Sequence, residues 1–314
     1  MNGESNMGAG VNTKKDVAAV VVGFYPDEAL LKTLITAIKD QVLAVFLIDN
    51  GGCSTIDWRN FPSVVIVPQE KNHGLGHALN LGFRSAKSAG AKFVCTFDQD
   101  SSPPTDLIVQ LHARLLGLLE KNANCAAVGP TFFDVREMHQ VTFPFIVEIN
   151  KKIKRIFPDD NAIEPIQTDI LITSGMLVRV DVWDDELHYD ETLFIDLTDN
   201  EWCLRARNKG YQLFGCPDVV MGHEMSLAPP IRKWGIYLFR QSPLRRYYSI
   251  RNTILCLKRN YISLAWKKRL LAGLLLRFLL LPFYENSLSS QYKMIGKGII
   301  DGFLNKSGPF PEKK

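Results

Sequence analysis

Strand-like and helix-like signals alternate along the first hundred residues, and that alternation narrows the choice of fold more than any other feature. Residues 17–22 form an unbroken apolar run, and residues 27–39 follow with Leu30, Leu31, Leu34, Ile35 and Ile38 at helical spacing. Residues 43–48 and 64–67 read as further strands, residues 76–87 as a second helix and residues 93–97 as the next strand. Apolar strands separated by amphipathic helices make βαβ units, so the expected fold class is α/β with a mostly parallel sheet flanked by helices. In open parallel sheets ligands bind beyond the carboxyl ends of the strands. Those ends carry Gly23-Phe24-Tyr25, Asp49-Asn50-Gly51-Gly52 and Asp98-Gln99-Asp100, three segments expected to converge on one pocket. No GxGxxG follows the first strand and no GxxxxGK[ST] occurs, which removes the main support for dinucleotide redox and P-loop functions.

The stretch AKFVCTFDQDSSPP, residues 91–104, carries most of the chemistry. Residues two apart on a strand share a face, so Asp98 and Asp100 can aim at one point where the extended geometry persists. Two hard oxygen donors suit a magnesium or manganese ion that carries phosphate. The competing reading is a plain turn, which favours Asp and Ser after any strand.

Composition separates the chain into two electrostatic halves. A content of 46% hydrophobic and 22% charged residues is that of a globular protein. Residues 231–314 hold 17 Lys and Arg against three acids, leaving 20 basic against 30 acidic residues in 1–230. The C-terminal segment is therefore about +14 and the body about −10, which calls for an anionic partner, nucleic acid or an acidic membrane. Its apolar content selects the membrane. LLAGLLLRFLLLPFY, residues 270–284, is shorter than the roughly 20 apolar residues needed to span a bilayer and is interrupted by Arg277 and Pro282. A helix lying in the headgroup layer fits, with a core helix or a homodimer interface as the competing reading. The six cysteines form no CxxC pair and several sit in apolar runs, as expected in a reducing cytoplasm. Residues 1–14 lack the apolar core of a signal peptide and read as a flexible tail. The expected division is this tail, a domain over 15–228 and a basic, apolar helical region over 229–314.

An ordered series of motifs gives a resemblance. Asp49, the loop Asn72-His73-Gly74-Leu75-Gly76-His77-Ala78-Leu79-Asn80-Leu81-Gly82 and Asp98-Gln99-Asp100 are followed by Thr173-Ser174-Gly175-Met176-Leu177-Val178-Arg179. Leu193-Phe194-Ile195-Asp196-Leu197-Thr198-Asp199-Asn200-Glu201-Trp202-Cys203, His223 and Tyr247-Tyr248-Ser249-Ile250-Arg251-Asn252 complete the series. Over about residues 17–260 this order resembles family 2 inverting glycosyltransferases of the GT-A fold, and in its DQD, EWC and YYxxRN variants the bacterial rhamnosyltransferases of O-antigen or cell-wall polysaccharide synthesis. The resemblance implies transfer of L-rhamnose from a dTDP donor to a lipid-linked saccharide at the inner face of the cytoplasmic membrane. It implies Phe24, Tyr25, Asp49, Asn72, Gly74, Asn80, Asp98, Gln99 and Arg251 on the nucleotide sugar, with Arg251 on a diphosphate. Asp100 and His223 are implied as ligands of Mn2+ or Mg2+, Asp199 as general base, and Asp196 and Glu201 on the acceptor.

Thr198-Asp199-Asn200-Glu201 also fits a capping box, with Thr198 as N-cap and Glu201 at N3 of a helix running to Lys209 and ending at Gly210. That assignment leaves the Asp199 carboxylate free. Three alternatives stay open on sequence: a UDP-hexose donor in the same fold, a haloacid-dehalogenase-like phosphatase suggested by FDQDSS, and a non-catalytic glycan- or lipid-binding scaffold. Three strand signals precede FDQDSS, whereas the phosphatase motif normally begins its domain.

Overall fold

A computed structural model describes residues 16–121, 123–133, 143–159, 161–222, 231–233, 236–238, 240–285 and 287–311. The expected tail and His223 lie outside them. Strands β1 (Val17–Gly23), β2 (Val45–Asp49), β3 (Val64–Pro68) and β4 (Phe93–Asp98) are all parallel. With β5 (Cys125–Phe133), β8 (Ile166–Thr168), β9 (Met176–Arg179) and β10 (Gln212–Gly222) they form an eight-stranded sheet of order β3-β2-β1-β4-β9-β5-β10-β8. Strand β9 runs antiparallel between β4 and β5, and β8 is an antiparallel edge on β10. A hairpin of β6 (Phe145–Ile149) and β7 (Lys152–Ile156) and a second of β11 (Ile231–Lys233) and β12 (Ile236–Leu238) stand apart from this sheet.

Parallel strands covered on both faces read as continuous apolar runs, and the period of two explains why no position is spare. Val17, Ala19, Val21, Val45, Leu47, Cys95 and Phe97 face helices α1 (Glu28–Ile38) and α3 (Leu107–Glu120). Ala18, Val20, Phe46, Ile48 and Val94 face α2 (Leu75–Ser88) and the aromatic cluster of Trp183, Tyr189 and Trp202. After β9 come the short helix α4 (Val180–Asp184) and α5 (Thr198–Asn208). All six cysteines are buried and unbridged.

The expected capping box does not form. The N-cap of α5 is Leu197, in the left-handed region with φ 63°, and no side chain caps it. Thr198 is already helical and Glu201 turns away to Arg205. The left-handed entry displaces the helix start by one residue and points the Thr198 and Glu201 side chains into the core instead of back over the first turn.

The C-terminal region contains α6 (Pro243–Leu257), α7 (Leu264–Leu280), a 3-10 turn (Leu281–Phe283) and α8 (Leu288–Phe303). Helix α6 is buried from Arg246 to Cys256, and α8 packs along it through Gly298 and Gly302. Helix α7 differs: of its 17 residues only Trp266 is buried, donating from Nε1 to Asp169 at 2.7 Å.

Candidate active site

The three strand ends meet as expected. Gly23 pairs with Asp49 across β1 and β2, and Val22 with Asp98 across β1 and β4. Phe24 and Tyr25 project from the end of β1 as an edge-to-face pair with centroids 4.9 Å apart, 48% and 74% exposed. Two loops hold them there. The Phe24 N–H donates to Gln99 Oε1 at 2.6 Å, and the Tyr25 N–H to the Gly51 carbonyl at 2.7 Å.

Asp49 folds the neighbouring loop. Its Oδ1 accepts the N–H groups of Gly51 and Cys53 at 2.8 and 3.0 Å, and its Oδ2 accepts the Ser54 N–H and hydroxyl at 2.7 and 2.5 Å. Burial pushes its pKa up, but these donors outweigh it and hold the carboxyl below the usual value. The four bonds use the lone-pair capacity of the group.

The loop before α2 closes a second wall. Asn72 Oδ1 accepts the Gly74 N–H at 2.8 Å, and the Leu75 N–H donates to the Phe194 carbonyl at 2.6 Å. Gly74 has φ 93°, and a Cβ there would sit 2.5 Å from the Phe194 oxygen. Gly74→Ala is expected to cost about 2 kcal/mol or more of stability, because strain and backbone overlap add. An unchanged denaturant midpoint would show that the 194 loop yields instead.

The acids gather opposite. Asp98 ends β4, exposed Asp100 follows two residues on, and Asp199 lies in the first turn of α5. The Ser101 and Ser174 hydroxyls are hydrogen-bonded, and Thr96 Oγ1 donates to the Thr173 carbonyl at 2.5 Å, tying the 173–175 turn to β4. Burial, then repulsion from Asp100, pushes the Asp98 carboxyl up to about 6 against the pull of Arg245. Burial likewise lifts Asp199 to about 6; Asp98 and Asp196 add to the rise, while the N–H groups of Asn200 and Thr173 oppose it. Asp196 Oδ1 accepts from Arg245 Nε at 3.1 Å. Asp196 Oδ2, Thr173 Oγ1 and Thr198 Oγ1 are enclosed without a hydrogen-bond partner among the described residues. Mutual repulsion among carboxylates at the mouth of a site is the electrostatic setting that a cation or a proton relieves.

The sequence profile described as glycosyl transferase family 2 matches residues 19–187, more than half of the chain. The chain belongs to that family. This glycosyltransferase is 31% identical over 252 residues to the dTDP-rhamnosyl transferase RfbF of Shigella flexneri, covering 79% of this chain and 82% of that protein. Its fold matches S. aureus TarS 1-349 in complex with UDP-GlcNAc at a TM-score of 0.54 and 13% identity, over 91% of this chain and 81% of the other. It also matches GalNAc-T7 with UDP, GalNAc and Mn2+ at 0.53 and 13% identity, over 90% and 59%. At such identities the two structures establish the common GT-A architecture. Family membership turns the FDQDSS segment from a phosphatase motif into the acidic end of a glycosyltransferase strand.

Within this glycosyltransferase several expected contacts are redirected. Arg251 does not face a phosphate: it is fully buried and satisfied by the chain's own carbonyls. Glu201, 1% exposed, accepts from Arg205 and from the Tyr261 hydroxyl, so it supports α5 and has no access to an acceptor. Asn80 spends both ends of its amide on Trp183, Tyr189 and Glu191, which makes it a core bracket and not a nucleotide contact. Asp49 and Gln99 shape the rim through loop bonds, Asn72 orders Gly74, and Phe24, Tyr25, Asp98, Asp100, Asp196 and Asp199 remain accessible or line the opening. Arg245 was missed. It is one of 17 cations in a basic segment, and no local pattern marks it as the one that reaches Asp196.

Among the described residues no three His, Cys, Asp or Glu side chains form a metal cage. Asp98 and Asp100 nevertheless fit a cation that arrives with phosphate, since magnesium is commonly held by one or two carboxylates with substrate oxygens completing its shell.

Proposed function

We propose that this glycosyltransferase moves L-rhamnose from dTDP-β-L-rhamnose to a hydroxyl of a lipid-linked saccharide in O-antigen or cell-wall polysaccharide synthesis, with inversion. The observation that carries this reading is the identity with a dTDP-rhamnosyl transferase over four-fifths of the chain, joined to an acid cluster at the ends of β4 and α5.

In this reading the aromatic pair Phe24-Tyr25 stacks on the thymine, and the Asp49 loop closes its edge. Asp98 meets the ribose or sugar. Asp100, with Asp98 beside it, holds Mg2+ or Mn2+, which when bound neutralises the leaving diphosphate. His223 remains a proposed further ligand. Asp199 removes the acceptor proton as the hydroxyl attacks the anomeric carbon, and its elevated pKa makes it a stronger base than an ordinary carboxylate. Asp196 orients the acceptor, with its own carboxylate held by Arg245. One base suffices because the diphosphate leaves without needing a proton.

The test is donor calorimetry with dTDP-rhamnose against UDP-sugars, with and without manganese. Selective, metal-dependent binding of the rhamnose donor is expected. Binding of a UDP-sugar instead would keep the reaction class and overturn the sugar, while no binding of any donor would return weight to a scaffold.

We further propose that residues 229–314 seat the enzyme on the inner face of the cytoplasmic membrane. No helix among the described residues is long and apolar enough to cross a bilayer. On α7, Leu264, Lys268, Leu271, Leu275 and Leu279 recur on one face, with Leu264 and Leu279 67% and 66% exposed. Leucines suit the acyl boundary, and each nearby Lys or Arg adds about 1 kcal/mol on anionic lipid. Wild type is expected to float with phosphatidylglycerol vesicles, and a Leu275→Asp, Leu279→Asp double variant to remain below. Equal flotation of the two would sink the idea, and a doubled mass for wild type alone would make the face a homodimer interface.

A further inference from the structure

The Arg251-Asn252 pair, wholly enclosed in α6, turns toward the loop that carries the acids. Asn252 Nδ2 lies within hydrogen-bond range of three carbonyls, those of Leu193, Ile195 and Asp196, at 2.9, 2.6 and 2.9 Å. Arg251 Nη2 donates to the Leu193 carbonyl at 2.8 Å, its Nη1 to the Gly308 carbonyl at 2.6 Å and its Nε to Asn252 Oδ1 at 3.0 Å. The guanidinium also lies over the Tyr248 ring at 4.9 Å from its centroid, and Phe194 stacks on the same Tyr248 with centroids 5.0 Å apart.

The loop needs such a grip. Phe194, Asp196 and Leu197 have φ of 65°, 65° and 63°, left-handed values that side-chain-bearing residues adopt only when their surroundings over-determine them. The C-terminal tail supplies the last hold: the Gly308 N–H donates to the Thr192 carbonyl at 2.8 Å, and the Phe310 N–H to the Tyr248 hydroxyl at 2.6 Å. The Phe310 ring packs edge-on against Tyr247 at 4.7 Å.

We infer that Arg251 and Asn252 are positioning residues that clamp the 193–197 loop in its left-handed form, and so aim Asp196 and the Asp199 at the entry of α5, with the tail around Gly308–Phe310 as the third jaw. They touch no substrate. Their bonds converge on carbonyls of the acid loop, and none reaches Phe24, Tyr25 or Asp98 on the donor side. The inference rests on Asp199 as the base, and a fault in that assignment shows separately, as an Asp199→Asn variant with wild-type kcat.

The test uses full-length Arg251→Lys and Asn252→Ala, with kcat, acceptor and donor KM, and dTDP affinity by calorimetry. Lysine keeps the charge but cannot span the Leu193 and Gly308 carbonyls together. The expected result is a kcat lower by about 10- to 100-fold, since a small misplacement of a reacting group is enough for that, with dTDP affinity within about twofold of wild type. Phe310→Ala is expected to lower kcat a few-fold in the same pattern. A folded Arg251→Lys protein with unchanged kcat would overturn the clamp, as would a parallel loss of kcat and dTDP affinity, which marks general loosening. Should Asn252→Ala fail to fold, Arg251→Lys decides alone.

Discussion

Asp199→Asn is expected to lower kcat by about 10²- to 10⁴-fold, the range that a general base contributes, with dTDP affinity retained. It is also expected to make the protein more stable at pH 7–8. The folded-state pKa of Asp199 is raised to about 6 from 3.8, so the ionised carboxylate opposes folding above pH 6 and the penalty disappears as protonation takes over on acidification. Asparagine keeps the oxygen that accepts the Asn200 N–H at 2.8 Å and removes the charge that Asp98 and Asp196 repel. A gain of about 1–2 kcal/mol, visible as a higher melting temperature, follows from a shift of this size after allowance for solvent at the opening. In wild type the same carboxyl is expected to set an acid limb in kcat/KM, with the rate rising through about pH 6. Asp98 is also raised to about 6 and interacts with Asp199, so the limb belongs to the two together. A variant with lost activity and a lowered melting temperature would argue that Asp199 is structural.

Asp100→Asn, or chelation of divalent ions in wild type, is expected to weaken dTDP binding at least tenfold and to lower kcat/KM by roughly 10²-fold or more, as loss of a phosphate-neutralising ion does. The apo protein gives an independent sign. Burial and then repulsion from Asp100 raise the Asp98 pKa, so neutralising Asp100 should bring the Asp98 titration down part of the way toward ordinary carboxylate values, measurable by carboxyl-carbon NMR. If the variant binds dTDP with the wild-type metal response, Asp100 is not the ion's ligand. If wild type both binds dTDP and turns over equally well with chelator, the transfer needs no metal.

Legibility in the sequence followed the range of the interactions involved. The first four strands and the first two helices were readable to within a residue or two, because β1, β2 and β4 are buried on both faces and apolar at nearly every position, the edge strand β3 keeps an apolar run although it is half-exposed, and the helices carry a regular stripe. Asp98, Asp100 and Asp199 stood out because a strand end or helix start followed by acids has a local signature. The left-handed entry at Leu197 had none: the contacts that meet its loop come from Leu75, Arg251, Asn252 and Gly308, each more than 50 residues away, so Thr198 and Glu201 looked like a capping box. Arg251, Glu201 and Asn80 have side chains suited to a ligand, yet each is spent on its own chain, and burial against a distant segment cannot be read from residue type. The antiparallel β9 was visible only as part of the segment Thr173-Ser174-Gly175-Met176-Leu177-Val178-Arg179, without its direction.

The buried thiols described with the fold make this protein a clean background for chemical labelling. Burial pushes Cys53, Cys125, Cys216 and Cys256 up to about 12 and Cys95 and Cys203 higher still, so at neutral pH almost no thiolate exists to meet a maleimide. A single cysteine introduced on an exposed surface would then carry all of the dye, and its fluorescence could report the approach of a bilayer or an acceptor without removing a native residue.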